Sequence, residues 1–163
     1  MENLESRNLE VNIGISDKHR DEISDALSNL LADTYTLYLK SQNYHWNVTG
    51  PQFHSLHEMF EEHYTELAEA VDTIAERIRA LGHFAPGTLN QFSEMSSIAE
   101  EYEVPDSMEM VNRLVIAHEQ VILTARKVAS ISNAAEDETT LDLATERLKF
   151  HSKVAWMLRS HLQ

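Results

Sequence analysis

The feature that most constrains this sequence is a long apolar stripe between Gly50 and Gly82. Apolar or aromatic residues recur there in steps of three or four: Phe53, Leu56, Phe60, Tyr64, Leu67, Val71, Ile74, Ile78 and Leu81. This spacing places them on one face of a single α-helix over about 52–81. Pro51 is tolerated in a first helical turn, and Gly82 favours a helix end. The stripe therefore predicts a helix that packs against a core along its whole length.

Two pairs of polar residues flank one edge of this stripe. His57 and Glu61 are four residues apart, as are Asp72 and Glu76, so each pair projects from one side of the helix. One pair supplies too few ligands for tight binding of a transition metal. The two pairs cannot share an ion within one helix, because His57 and Asp72 lie roughly 22 Å apart along its axis.

A two-fold axis removes this difficulty. If a second copy of the helix crosses antiparallel near the middle, the first pair of one copy faces the second pair of the other. A further imidazole is available at the end of the preceding helix. The predicted ligands are His45, His57 and Glu61 from one subunit with Asp72 and Glu76 from its partner. Two imidazoles with carboxylates suit iron or zinc better than calcium or magnesium.

Four short motifs carry these residues: His45-Trp46-Asn47, Gly50-x-x-Phe53, Leu56-His57-Glu58-Met59 and Asp72-x-Ile74-Ala75-Glu76-Arg77. They resemble the signature of the Dps mini-ferritins, the DNA-protection-during-starvation proteins, and the resemblance runs from about residue 16 to the end. It implies a ferritin-like four-helix-bundle subunit, a hollow dodecamer and a ferroxidase site between two-fold-related subunits. The family's ligands carry over to His45, His57, Asp72 and Glu76, with Glu61 at the position of an additional acidic ligand.

The rest of the chain is predicted to be all-α, with one domain over 16–163 behind an extended arm, 1–15. The predicted long helices span about 16–46, 52–81, 108–132 and 139–162. The connection 82–105 is unusually long, and we expect one short helix in it, over Ser93–Glu101. A long crossover between the second and third long helices is compatible with a ferritin-like bundle.

The composition of the chain indicates where the protein is located and which partners it can bind. The chain has no cysteine, no apolar run long enough to cross a membrane and no apolar signal core, so a cytoplasmic location is expected. Its net charge of −14 attracts cations and repels nucleic acid. DNA-binding Dps proteins carry lysine-rich tails, and neither end of this chain has one, so direct binding of duplex DNA is not expected.

Acidic residues gather at the start of the predicted fourth helix: Asp137, Asp142 and Glu146. Acids at that position suit the helix dipole, which explains them without any function. In the resembling family this region lines acidic pores at a three-fold axis, and carboxylate rings draw divalent cations inward. The resemblance also places Trp46 beside the metal, as a packing aromatic or as an oxidisable residue that absorbs stray oxidising equivalents.

The remaining histidines are first assigned to the surface or to packing: His19, His54, His83 and His118. A second metal site stays open at three others: His63, His151 and His161. The sequence leaves their role undecided.

The function that the resemblance implies is an iron-storing ferroxidase. It oxidises Fe(II), preferentially with hydrogen peroxide, and keeps the Fe(III) mineral in the cavity, which protects against oxidative stress. Two alternatives remain: a DNA-binding nucleoid-protecting protein, and a non-catalytic zinc or copper carrier that uses the same ligands. A site inside one bundle, as in ordinary ferritins and di-iron oxygenases, uses Glu-x-x-His, which this sequence lacks.

Overall fold

The computed structural model describes residues 10–163, which form five helices and no strand. The helices are α1 (Asp17–Asn47), α2 (Phe53–Ala80), α3 (Leu89–Met95), α4 (Ser107–Ala134) and α5 (Glu138–Arg159). The predicted fold class is confirmed, with four long helices and a short extra helix between α2 and α4. Of the predicted arm, residues 1–9 lie outside the described residues, and residues 10–15 are not helical.

The long helices begin and end near the residues that the sequence indicates. The Ser16 side chain caps α1 by accepting a hydrogen bond from the backbone N–H of His19, and the Asp106 side chain caps α4. Gly82 follows α2 with a φ of +96°, a conformation that a glycine adopts without strain. A Cβ atom at this position would lie 2.9 Å from Cγ2 of Val11, so the N-terminal segment also requires a glycine here.

The short helix is displaced from its predicted position, Ser93–Glu101. α3 begins earlier because Thr88 and Gln91 form a reciprocal capping box. It ends at Met95 because the following segment turns away to bind a buried carboxylate. The backbone N–H of Ser97 donates to Asp33 of α1 over 2.6 Å, which a helix through this residue would not allow. The prediction overlooked the cap and could not include this long-range bond.

One core lies between the four long helices. α1 packs on α2 and α4, and α4 packs on α5. The stripe of α2 supplies five side chains with no exposed surface: Leu56, Phe60, Leu67, Ile74 and Ile78. Full burial of such side chains stabilises the fold by about 1.5–3 kcal/mol each. No helix within residues 10–163 is long and apolar enough to span a bilayer.

Candidate metal centre

Two histidines face each other where α1 passes into α2. His45 lies in the last turn of α1, and His57 lies in the second turn of α2. Their rings stack with centroids 3.8 Å apart and an interplanar angle of 16°. Nδ1 of His45 lies 2.8 Å from the carbonyl oxygen of His57, and Nδ1 of His57 lies 2.7 Å from that of His45. Each imidazole is therefore held by the backbone of the other residue.

These reciprocal bonds decide which nitrogen can bind a metal. A carbonyl oxygen only accepts hydrogen bonds, so the proton of each neutral ring must lie on Nδ1. The Nε2 atoms of His45 and His57 are then unprotonated and carry a lone pair. Histidine ligands of metals are usually held in this way, with the non-ligating N–H donating to a carbonyl or carboxylate.

Aromatic packing fixes the orientation of the pair. His45 is only 8% exposed, and its ring is nearly perpendicular to that of Tyr64, with the ring centroids 5.2 Å apart. Phe53 stacks on the other member, His57, at 5.1 Å. The pair therefore sits at the surface of the bundle with its rings held between neighbouring side chains.

A buried polar network anchors the end of α1 that carries His45. The hydroxyl of Tyr44 donates to Glu101, which also pairs with Lys40 and Arg113. Burial by itself would raise the pKa of Glu101, but the hydrogen bonds from Tyr44 and Lys40 lower it below its ordinary value. The carboxylate thus stays ionised and ties the last turns of α1 to the connection that precedes α4.

The three predicted carboxylate ligands all lie on the exposed surface of α2: Glu61, Asp72 and Glu76. Glu61 follows His57 by one helical turn, whereas Asp72 is too far along the same helix to reach the histidines. Among residues 10–163, no three histidine, aspartate and glutamate side chains are placed to hold one ion. A single subunit therefore brings the two histidines together and leaves Asp72 and Glu76 apart from them.

The predicted pore residues have different surroundings. Asp137 is 3% exposed and caps α5 by accepting from the backbone N–H of Thr140. Its two carboxylate oxygens also accept from Arg77 at 2.8 and 2.9 Å. Burial alone would raise the pKa of Asp137, but the bonds from Thr140 and Arg77 lower it. Within one subunit both oxygens of this carboxylate therefore already accept hydrogen bonds from protein groups.

Asp142 and Glu146 are exposed on α5, facing α2. They line a groove of about 680 Å³ that also contains Glu76. Lys149 donates to Glu146 over 2.7 Å and lowers its pKa. This shared groove was not predicted, because it depends on how α2 and α5 pack.

Trp46 is 62% exposed in the subunit, directly after His45 in the sequence.

Of the histidines assigned to the surface or to packing, His54 is exposed and His118 is fully buried. His118 lies beside His63 and His151 inside the bundle. The spacing of Phe60, His63 and Leu67 was a signal for the burial of His63 that the sequence analysis did not use.

The sequence is similar to those of known ferritin-like proteins. The ferritin-like domain family model matches residues 24–163. A low temperature-induced protein of Nostoc sp. is 41% identical over 94% of this chain and 87% of its own length. DNA protection during starvation protein 2 of Bacillus anthracis is 38% identical over 86% of this chain and 97% of its own.

A solved structure shares the fold over nearly the whole chain. The Dps protein of Vibrio cholerae O1, described as a ferritin-like diiron-carboxylate protein, superposes with a TM-score of 0.90. It is 28% identical, and the match covers 94% of this chain and 97% of that one. With its five-helix architecture and its paired histidines, this chain belongs to the Dps mini-ferritin family of ferritin-like proteins.

Proposed function

We propose that this protein oxidises Fe(II) with hydrogen peroxide at a site shared by two subunits and stores the Fe(III) inside a hollow dodecamer. The observation that supports this most directly is the His45–His57 pair, whose reciprocal bonds occupy both Nδ1 atoms and leave Nε2 as the nitrogen of each ring that can bind a metal. Family membership supports iron storage and protection against oxidative damage in general. The choice of peroxide and the ligand set are parts of the proposal.

The site forms when α2 packs antiparallel on its two-fold mate. His45 and His57 of one subunit then face Asp72 and Glu76 of the partner subunit, with Glu61 as a further carboxylate. Imidazoles and carboxylates together suit Fe(II), and the carboxylates offset its charge. Because both Nδ1 atoms are committed to carbonyl groups, the rings need no reorientation when iron binds. Zinc suits the same ligands and is expected to compete for them.

Hydrogen peroxide takes one electron from each of two ferrous ions and two protons from water and becomes two water molecules, so it is consumed together with Fe(II); the hydrolysis of Fe(III) then returns protons to the solvent. No side chain acts as a nucleophile. Trp46 lies next to His45 in the chain. We propose that its indole is oxidised by any oxidising equivalent that leaves the iron site. The net charge of −14 attracts ferrous ions to the assembly. Asp142 and Glu146, whose carboxylates line the α2–α5 groove, are proposed as the entrance for iron. Asp137, predicted to share this role, is buried and bonded to Arg77, and it is proposed to hold the start of α5 in place beside the entrance.

The test is peroxide-dependent oxidation of Fe(II) by the purified assembly, followed by the absorbance of Fe(III) and by the iron that stays with the oligomer. The wild type should oxidise and retain iron, and His57→Ala should lose most of this activity. His54→Ala is the matched control, because His54 lies on the same helix with an 82% exposed side chain. Equal activity in His57→Ala and the wild type would refute the proposed site.

A further inference from the structure

A row of tyrosines leads away from the His45–His57 pair. Tyr64 of α2 lies against His45, with the ring centroids 5.2 Å apart. Its ring centroid lies 6.1 Å from that of Tyr38 in α1, which lies 5.8 Å from that of Tyr35. We propose that Tyr64, Tyr38 and Tyr35, the tyrosine relay, supply one electron to hydrogen peroxide when a single ferrous ion is bound, and recover it from the next ferrous ion. This inference rests on the function proposed above.

Helical spacing places these rings in line. Tyr35 and Tyr38 precede His45 by ten and seven residues, so all three share one face of α1. Tyr64 follows His57 by seven residues, so these two share one face of α2. Because α1 packs against α2, the two faces meet. The tyrosine relay therefore lies along the interface of the two helices that carry the proposed iron ligands.

The rings of the tyrosine relay are close enough to exchange electrons. Electron transfer slows steeply as donor and acceptor separate, and the centroid distances of 5.2, 6.1 and 5.8 Å are those of aromatic rings in direct contact. Tyr35 also stacks on Phe92 at 4.6 Å. Phenylalanine is much harder to oxidise than tyrosine, so the relay ends at Tyr35. All three tyrosines are half-buried, so solvent water can take up a phenolic proton.

The reaction balances with one ferrous ion at the site. Hydrogen peroxide takes two electrons and two solvent protons to become two water molecules. Fe(II) gives one electron and becomes Fe(III), and Tyr64 gives the other, releases its phenolic proton to solvent and becomes a neutral tyrosyl radical. Tyr38 and then Tyr35 reduce the preceding radical in the same way. When a second Fe(II) binds, its electron returns along the relay, and the last radical takes up a proton and becomes a phenol again.

The tyrosine relay matters when iron is scarce. A single ferrous ion by itself gives peroxide only one electron, and the products are then hydroxide and a hydroxyl radical. Tyr64 supplies the second electron from within ring contact of His45, so the hydroxyl radical is not formed. Trp46 has a different part, because its side chain is 62% exposed and it is oxidised by equivalents that have already left the site. The relay instead returns its oxidising equivalent to iron.

The test is electron paramagnetic resonance of the assembled protein, frozen after hydrogen peroxide is added to one Fe(II) per subunit. We expect a radical whose hyperfine splitting changes when the tyrosines, and not the tryptophans, are ring-deuterated. Tyr64→Phe keeps the ring and removes the oxidisable hydroxyl, so most of this signal should be lost and a spin trap should detect more hydroxyl radical. Tyr35→Phe should keep a radical with an altered splitting, because it then stays on the earlier rings.

Controls separate the tyrosine relay from the iron site. Tyr102→Phe should leave the signal unchanged, because Tyr102 is 88% exposed and lies outside the relay. Co(II), a divalent ion that imidazole also binds, should bind equally to Tyr64→Phe and the wild type, since the phenyl ring still packs against His45. A second equivalent of Fe(II) should remove the radical signal of the wild type.

Three results would overturn the tyrosine relay while the ferroxidase stands: a radical that responds only to deuterated tryptophan, an equal tyrosyl signal in Tyr64→Phe and the wild type, or a signal that a second Fe(II) does not remove. Weaker Co(II) binding in Tyr64→Phe would also overturn it, because a displaced His45 would then explain the lost signal. If the wild type does not oxidise Fe(II) with peroxide, the proposed function is refuted, and the relay with it.

Discussion

Arg77 of α2 holds both carboxylate oxygens of Asp137 at 2.8 and 2.9 Å, and its Nε donates to Thr140 over 2.8 Å. The pair joins the helix that carries the proposed carboxylate ligands to the beginning of α5. Its side chains are 14% and 2% exposed, so the charges are largely withdrawn from water. The position of Glu76, next to Arg77, relative to the acidic residues of α5 therefore depends on this ion pair.

Replacing Arg77 with alanine should destabilise the subunit strongly. The change leaves the Asp137 carboxylate buried without its counter-charge, which costs about 3–5 kcal/mol of unfolding free energy. Urea denaturation at pH 7 measures this loss. Arg79→Ala is the matched control, because Arg79 is exposed and its guanidinium donates to the backbone carbonyl of His83, four residues on, and lies over the ring of Phe84 without pairing with a carboxylate of residues 10–163. Equal losses in the two variants would contradict the assigned role of the ion pair.

Mixed assemblies test whether the ferroxidase site is shared. His57→Ala and Asp72→Ala should each abolish most oxidation, since each removes a ligand from every site. In a random mixture half of the subunit pairs are hybrid, and each hybrid pair has one intact site and one that lacks both residues. Co-assembled subunits should therefore recover about a quarter of the wild-type rate. If the two variants are unfolded and reassembled together and the oxidation rate does not recover, a site built from both subunits is contradicted.

The stability of the subunit should fall as the pH drops from 6.5 to 5. The pKa values of His118 and His151 are lower in the folded protein than the ordinary value of 6.5. The unfolded chain therefore binds more protons in this range, and each residue removes up to about 1.4 kcal/mol per pH unit. Urea denaturation at several pH values measures the slope. A slope that is equally steep in His151→Phe would contradict the assignment to His151.

Charge removal at the proposed entrance should slow iron uptake. Asp142→Asn with Glu146→Gln keeps the shape of the α2–α5 groove and removes two negative charges. We expect slower Fe(II) oxidation at low ferrous concentration, with the difference shrinking as salt or iron rises, because steering is screened and then saturated. Stopped-flow absorbance measures the rates. Identical rates under all conditions would leave helix-dipole compensation as the explanation of these acids.

Duplex DNA should not be retarded by the assembled protein at neutral pH and moderate salt without divalent cations. The chain has 13 basic and 27 acidic residues, so phosphate contacts would have to form against a strong net repulsion. An electrophoretic mobility shift at increasing salt measures this. Tight binding that weakens steeply with salt would contradict the prediction and would indicate a basic patch formed by assembly.

Much of the fold could be predicted from local patterns. The apolar stripe of α2, the cap at Ser16 and the stop at Gly82 are local features, and the structure has each where the sequence indicates it. The position of α3 could not be predicted as well. It depends on a bond between Ser97 and Asp33, 64 residues apart, which no local pattern reveals.

The sequence by itself determined the helical class, the acidic charge and the choice of His45 and His57, because spacing and motif residues are local properties of the chain. Only the tertiary structure decided that these two rings bond to each other's backbone, that Asp137 is paired with Arg77, and that His118 lies beside His63 and His151 in the core. These relationships join residues on different helices. They follow from how the helices pack, and packing is set by the summed burial of the whole apolar surface rather than by any single motif.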